Sequence, residues 1–130
     1  MSATEWRVAV GDETTSAVYE PPTSAARDTV FVCAHGAGGS MSDRGTLAAA
    51  STMRAGGMGV VRFNFLYKER KSGRPDAMPR LMETFAAVVD RVRGELKPRR
   101  LIIGGRSMGG RAASMLAAEG FDAGGLLLLA

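Results

Sequence analysis

Two kinds of apolar spacing alternate along the chain. Trp6 to Val10 and Thr15 to Glu20 alternate apolar and polar residues around the turn-forming Gly11 to Thr14, which predicts an N-terminal β-hairpin. Pro21-Pro22 and the polar TSAARD interrupt the pattern. Thr29 to Ala34 (TVFVCA) is then apolar on both faces, as a strand buried between helix layers is. Thr46 to Ala55 reads as a helix with Leu47, Ala50 and Met53 facing inward, stopped by Gly56-Gly57. Gly59 to Phe65 (GVVRFNF) reads as the next strand. Leu66 to Pro79, polar, basic and broken by Gly73, Pro75 and Pro79, reads as a long irregular connection of the sort that lines a site or moves. Arg80 to Leu96 carries Leu81, Phe85, Val88 or Val89, Val92 and Leu96 at spacings of three and four, the signature of an amphipathic helix closed by Pro98. A strand from Leu101, a helix to about Glu119 and a buried strand over Gly124 to Ala130 complete the chain.

From Thr29 onward this order is βαβαβαβ. Strand-helix alternation predicts an α/β fold with a mostly parallel, doubly wound sheet, to which the N-terminal hairpin adds antiparallel strands. The reading is one domain over 1–130, with a hairpin and linker at 1–28 and the alternating core at 29–130. A chain of 130 residues, 45% of them hydrophobic, has room for one core.

Composition excludes several classes. No window holds the eighteen apolar residues of a membrane span, and MSATEWRVAVGDE lacks a secretory pattern, so the expected address is cytoplasmic with no membrane partner. The single Cys33 can form no internal disulfide and reads as a small core residue. The net charge of +4 permits an anionic partner, but the basic residues are dispersed among acids apart from Lys68 to Arg74 and Arg99-Arg100. Without aromatic interleaving or an RNA-binding signature, nucleic acid is not the expected partner. No metal or cofactor motif stands out.

Candidate chemistry concentrates in two glycine clusters, His35-Gly36-Ala37-Gly38-Gly39 and Gly104-Gly105-Arg106-Ser107-Met108-Gly109-Gly110, each at the C-terminal end of a predicted strand. Active groups gather at such ends in parallel sheets. Gly105 to Gly109 fits G-x-S-x-G, a pattern weak alone and stronger in a strand-turn-helix setting, where the serine stands on a sharp turn and exposes its hydroxyl. Acyl transfer needs a nucleophile, a base and donors aimed at a developing oxyanion. Ser107 supplies the first; the competing reading is a helix N-cap serine. The Met108 N–H, at a helix start, is the natural first donor, and Ala37, with Gly36 as the second choice, the donor from the other cluster. His35, the sole histidine, could serve as base, but its place at the end of its own strand favours bracing the loop. A phosphate-loop reading of Gly105 to Ala112 fails, because Arg111 replaces the lysine and Ala112 lacks the hydroxyl for Mg²⁺.

HGAGG after one strand, RFNFLYKERKSGRPD after the next, and GGRSMGGRAAS at the turn together resemble the α/β-hydrolase superfamily over about Thr29 to Ala130. The branch is the dienelactone-hydrolase-like one that includes the testis-expressed and chromatin-complex hydrolase-like domains. The resemblance implies a partial α/β-hydrolase fold, Ser107 as nucleophile, and Ala37 and Met108 as oxyanion-hole residues. His35, Gly36, Gly38, Gly39, Gly105 and Gly109 then support the loop and elbow. Tyr67, Gly73, Arg74, Pro75 and Asp76 match a family signature with no assigned role. The implied activity is hydrolysis of an ester, thioester or related small acyl substrate without a cofactor; the alternative is a non-catalytic protein-interaction module. The family places its acid and histidine after the serine, on loops of later strands. Here no histidine follows Ser107, and Glu119 and Asp122 lie at the end of the elbow helix, far from the strand ends that would place a triad acid. The sequence thus looks like the N-terminal part of a hydrolase, not competent as 130 residues alone.

Overall fold

The computed structural model describes residues 3–129. Among these residues six strands form one sheet in the order β1-β2-β4-β3-β5-β6. The hairpin is β1 (Thr4–Val10) and β2 (Glu13–Glu20), antiparallel about Gly11, whose φ of 64° only glycine adopts cheaply. β2 also pairs antiparallel with β4 (Gly59–Phe63), so the hairpin extends the main sheet. β3 (Thr29–Ala34), β4, β5 (Arg100–Arg106) and β6 (Gly125–Leu129) are parallel to one another. The fold class is therefore the one the alternation predicts.

Helices cover both faces. On one face α3 (Met78–Leu96) and α4 (Met108–Ala118) bury Leu81, Phe85, Val88, Val92, Ala112 and Leu116 against Val32, Val61, Phe63 and Ile103. On the other, α1 (Arg44–Ala55) lays Ala50 and Met53 over Phe31, Cys33 and Val60. A sheet covered on both faces explains why β3 and β4 read as unbroken apolar runs.

Four expectations are corrected. Leu47 does not face inward; it is 43% exposed, and Thr46 and Ala50 make the buried stripe of α1. The fourth strand stops at Phe63: the Asn64 N–H still donates to the Ser16 carbonyl of β2, but the Phe65 N–H donates to a side chain, His35, and the ladder ends there. The connection after it is not irregular throughout. It holds a short helix, α2 (Leu66–Glu69), and Met78 and Pro79 already belong to α3, where proline suits a first turn that needs no N–H. Finally, β6 is not buried. It is an edge strand with Leu126 and Leu128 43% and 58% exposed, while Leu127 and Leu129 turn to the α1 face; Ala130 lies outside the described residues. Among the described residues no helix is long and apolar enough to cross a membrane.

Candidate functional site

β3 and β5 lie side by side, pairing Cys33 with Gly104 and Ala34 with Gly105, so their C-terminal ends deliver the two glycine clusters to one place. The approach is too close for side chains. A Cβ on Gly109 would sit 2.6 Å from the His35 carbonyl oxygen and 2.7 Å from that of Ala34, and one on Gly105 would collide with the Ala34 carbonyl. A Cβ on Gly36 would stand 3.6 Å from that of Ser107, which measures how nearly the clusters touch. Gly38 meets nothing within 4 Å, so its lack of a side chain has no packing cause.

Ser107 carries the turn. Its φ of 49° and ψ of −113° lie outside the populated regions for an L residue, and neither Gly105 nor Gly109 shares the positive φ. The flanking glycines therefore serve close approach, while the serine takes the strain. Ser107 is exposed, and its side chain makes no capping hydrogen bond to α4. Its carbonyl accepts from the Arg111 N–H at 2.9 Å, starting the helix. Met108 is the first residue of α4, so its N–H has no partner within the helix.

Opposite stands the loop after β3. His35 is fully buried, edge-on to Phe65 and Tyr67. Its Nε2 accepts from the Phe65 N–H at 3.1 Å, which puts the ring proton on Nδ1, 2.7 Å from the Gly36 carbonyl oxygen. Both nitrogens are thus spent on backbone, and neither is left for Ser107. Burial lowers the His35 pKa below its ordinary value against opposition from the Gly36 carbonyl and Asp43, so the neutral ring persists. The Gly36 carbonyl also accepts from the Gly39 N–H at 3.0 Å.

Further along, Asp43 caps α1, accepting from the N–H groups of Thr46 at 2.7 Å and Ser40 at 2.9 Å. Burial works to raise the Asp43 pKa, but these donors outweigh it and hold the carboxyl below its ordinary value. Met41 is gripped from β4 and the residue after it: Asn64 Oδ1 accepts from its N–H at 2.8 Å and Arg62 donates to its carbonyl at 2.5 Å. Arg62 also donates to Glu20 at 2.8 Å, which satisfies a nearly buried charge. The Tyr67 hydroxyl donates to the Ala37 carbonyl at 2.7 Å.

Gly36 to Gly39, Asp43, Arg44, Gly45, Arg106 and Ser107 line an open cleft of about 510 Å³. Of the residues singled out in the sequence, the structure brings His35, Gly36, Ala37, Gly38, Gly39, Gly105, Ser107, Met108 and Gly109 to this one region. Glu119 is excluded from it. It caps the far end of α4, roughly 16 Å along the helix from Met108. Sequence reasoning missed Arg62, Asn64 and Asp43. The first two were visible as polar residues in an otherwise apolar strand run, and Asp43 as an acid three residues before Thr46 at a helix start. Among the described residues no cluster of three or more His, Cys, Asp or Glu side chains could hold a metal ion.

Comparison with solved structures gives the same architecture. A lidless α/β serine hydrolase from Xanthomonas campestris superposes with a TM-score of 0.81 at 24% identity, over 93% of this chain and 57% of that one. An α/β serine hydrolase homologue from Coxiella burnetii gives 0.79 at 20% identity, over 92% and 59%. A dienelactone hydrolase from Anabaena variabilis gives 0.76 at 19% identity, over 98% and 62%. The chain therefore spans under two thirds of the length of each. A search of curated protein sequences returns no match. The model of the alpha/beta hydrolase domain matches residues 27–130, four fifths of the sequence and every element of the cleft, and to that family the chain belongs.

Proposed function

We propose that Ser107 is the nucleophile of an acyl hydrolase acting on a small ester, thioester or related substrate, with the N–H groups of Ala37 and Met108 as its oxyanion hole. The observation that carries this reading is the Ser107 backbone. A serine held at φ 49° with no capping bond gains nothing locally from that conformation, and strain of this kind clusters where function needs it. Exposure at a cleft and adjacency to Gly36 support the assignment. In the reaction, the hydroxyl oxygen attacks the acyl carbon as its proton passes to a base that His35 does not supply, water or added imidazole, and the two N–H groups receive the oxyanion; the protonated base then gives its proton to the departing group, and water cleaves the acyl-serine that is left, releasing the acid and restoring the hydroxyl. His35 is a brace, not the base. Its Nδ1–H fixes the Gly36 carbonyl, and because that carbonyl and the Ala37 N–H share one planar peptide, fixing one sets the direction of the other.

The chain contains no other imidazole, so the 130-residue polypeptide alone turns over simple esters negligibly. That observation favours a second reading, a hydrolase-like module that binds another protein and keeps the elbow as scaffold. A fluorophosphonate probe separates the two. The nucleophile reading expects phosphonylation at Ser107, located by mass, accelerated by added imidazole as an external base and abolished in Ser107→Ala. No adduct at Ser107, with or without imidazole, sinks it in favour of the module.

A further inference from the structure

The segment from Tyr67 to Asp76 is closed on itself. The Ser72 N–H donates to the Tyr67 carbonyl at 2.9 Å, and the Tyr67 N–H donates to Asp76 Oδ2 at 3.1 Å. The other Asp76 oxygen pairs with Arg70, which also reaches Glu13 at 2.7 Å. One side chain leaves this closed loop for the cleft. Tyr67 is 1% exposed, packs edge-on to His35, and spends its hydroxyl on the Ala37 carbonyl. Ala37 is thereby held on both sides: His35 fixes the peptide before it, through the Gly36 carbonyl, and Tyr67 fixes the peptide after it. A loop with three glycines among the five residues after β3 has little stiffness of its own between Gly36 and Gly39 except at Ala37.

We propose that Tyr67 is a positioning residue for the oxyanion hole and that the Tyr67–Asp76 loop is the strut that carries it. The inference deepens the hydrolase reading and rests on it for the role of the Ala37 N–H. Asp76 locks the Tyr67 backbone, Tyr67 locks the Ala37 carbonyl, and the Ala37 N–H is left with one orientation. The hydroxyl acts through the backbone and touches no substrate.

The test is saturation kinetics of Ser107 phosphonylation with the fluorophosphonate probe on the full chain, at fixed imidazole, comparing wild type with Tyr67→Phe. Tyr67→Phe keeps the ring and its packing and removes only the donor. The maximal labelling rate constant falls roughly tenfold, less than for outright loss of an oxyanion donor because the Ala37 N–H remains and only its orientation loosens, while the probe's half-saturation concentration stays within about twofold. Tyr19→Phe, which alters the other tyrosine far from the cleft, leaves both unchanged. An unaltered maximal rate in Tyr67→Phe overturns the inference while the hydrolase reading stands. Where wild type takes up no probe at all, the hydrolase reading falls, and the strut is read from the amide resonances of Ala37 and Gly38. They shift and exchange faster in Tyr67→Phe, and resonances that stay in place overturn the strut.

Discussion

Replacing Ser107 by alanine and by glycine separates two accounts of this serine through stability alone, without any substrate. If Ser107 were a helix N-cap, Ser107→Ala would cost about 1 kcal/mol and Ser107→Gly only a few tenths. The structure reverses the order. The side chain makes no capping bond, so alanine loses nothing and keeps the same strained backbone. Glycine removes the strain. A non-glycine residue at φ 49°, ψ −113° carries about 1–3 kcal/mol of it, while the extra freedom of glycine in the unfolded chain costs about 0.5–1 kcal/mol. The net expectation for Ser107→Gly is stabilisation by about 1 kcal/mol.

For a chain of 130 residues the unfolding entropy is roughly 0.27 kcal/mol/K, so 1 kcal/mol corresponds to a Tm shift of about 4 °C. Calorimetry or urea denaturation followed by circular dichroism resolves that difference. The expected ranking is Gly above wild type, with Ala equal to wild type. A ranking with Ala lowest by about 1 kcal/mol and Gly near wild type would restore the N-cap account and remove the strain on which the nucleophile assignment stands.

The glycine contacts make a paired prediction. Gly109→Ala drives a methyl group into the backbone of Ala34 and His35 and costs about 3 kcal/mol or prevents folding, whereas Gly38→Ala, with open space around it and no positive φ, changes stability by less than about 1 kcal/mol; thermal melts of the two variants check both. His35 gives a pH signature. Its pKa is depressed by burial, so as pH falls below its ordinary value of 6.5 the unfolded state takes up the proton first, and stability falls by at most about 1.4 kcal/mol per pH unit until the folded state protonates too. Urea titrations between pH 7.5 and 5 show this slope in wild type and lose it in His35→Gln; a flat wild-type profile contradicts the buried neutral ring. Burial pushes the Cys33 thiol up to about 12, so iodoacetamide leaves it unmodified in the native chain at pH 8 and alkylates it once the chain is unfolded in urea; rapid native alkylation, read by mass, would show that the α1 face opens.

The strand-helix order was legible because each buried strand and amphipathic helix shows its own period, and β3 and α3 answer to those periods almost residue for residue. Where the reading failed, the deciding partner lay elsewhere in the chain. Leu47 fits the apolar stripe of α1, yet that helix covers only one patch of sheet around Phe31 and Val60, and Ala50 and Met53 fill it. Phe65 continues the pattern of β4, but its N–H is taken by a histidine thirty residues earlier, which no local signal announces. The leucines of β6 look buried as a run and prove half exposed, because burial depends on what stands over each face of an edge strand. At the site, residue types with a single chemical use, such as Ser107 between glycines, could be found from sequence. Arg62, Asn64 and Tyr67 could not be placed, since their work is to hold backbone atoms of a loop more than twenty residues away.

The two glycine clusters explain each other only in three dimensions. Taken alone, Gly105 and Gly109 suggest a turn that needs unusual backbone angles at glycine, yet the unusual angles belong to the serine between them. What the glycines permit is contact: both would strike the end of β3 if they carried a methyl group. That contact sets Gly36 against Ser107, and it works only if the loop after β3 keeps its shape, which its three glycines do not ensure. The shape comes from His35 and Tyr67, whose own places are fixed by Phe65 and Asp76. The pairing of strain at one residue with bracing at its neighbours follows from the geometry. A strained serine is useful to acyl transfer only if the groups facing it do not relax toward it, and the side-chain polar hydrogens of His35 and Tyr67 are both spent on the loop that would do so.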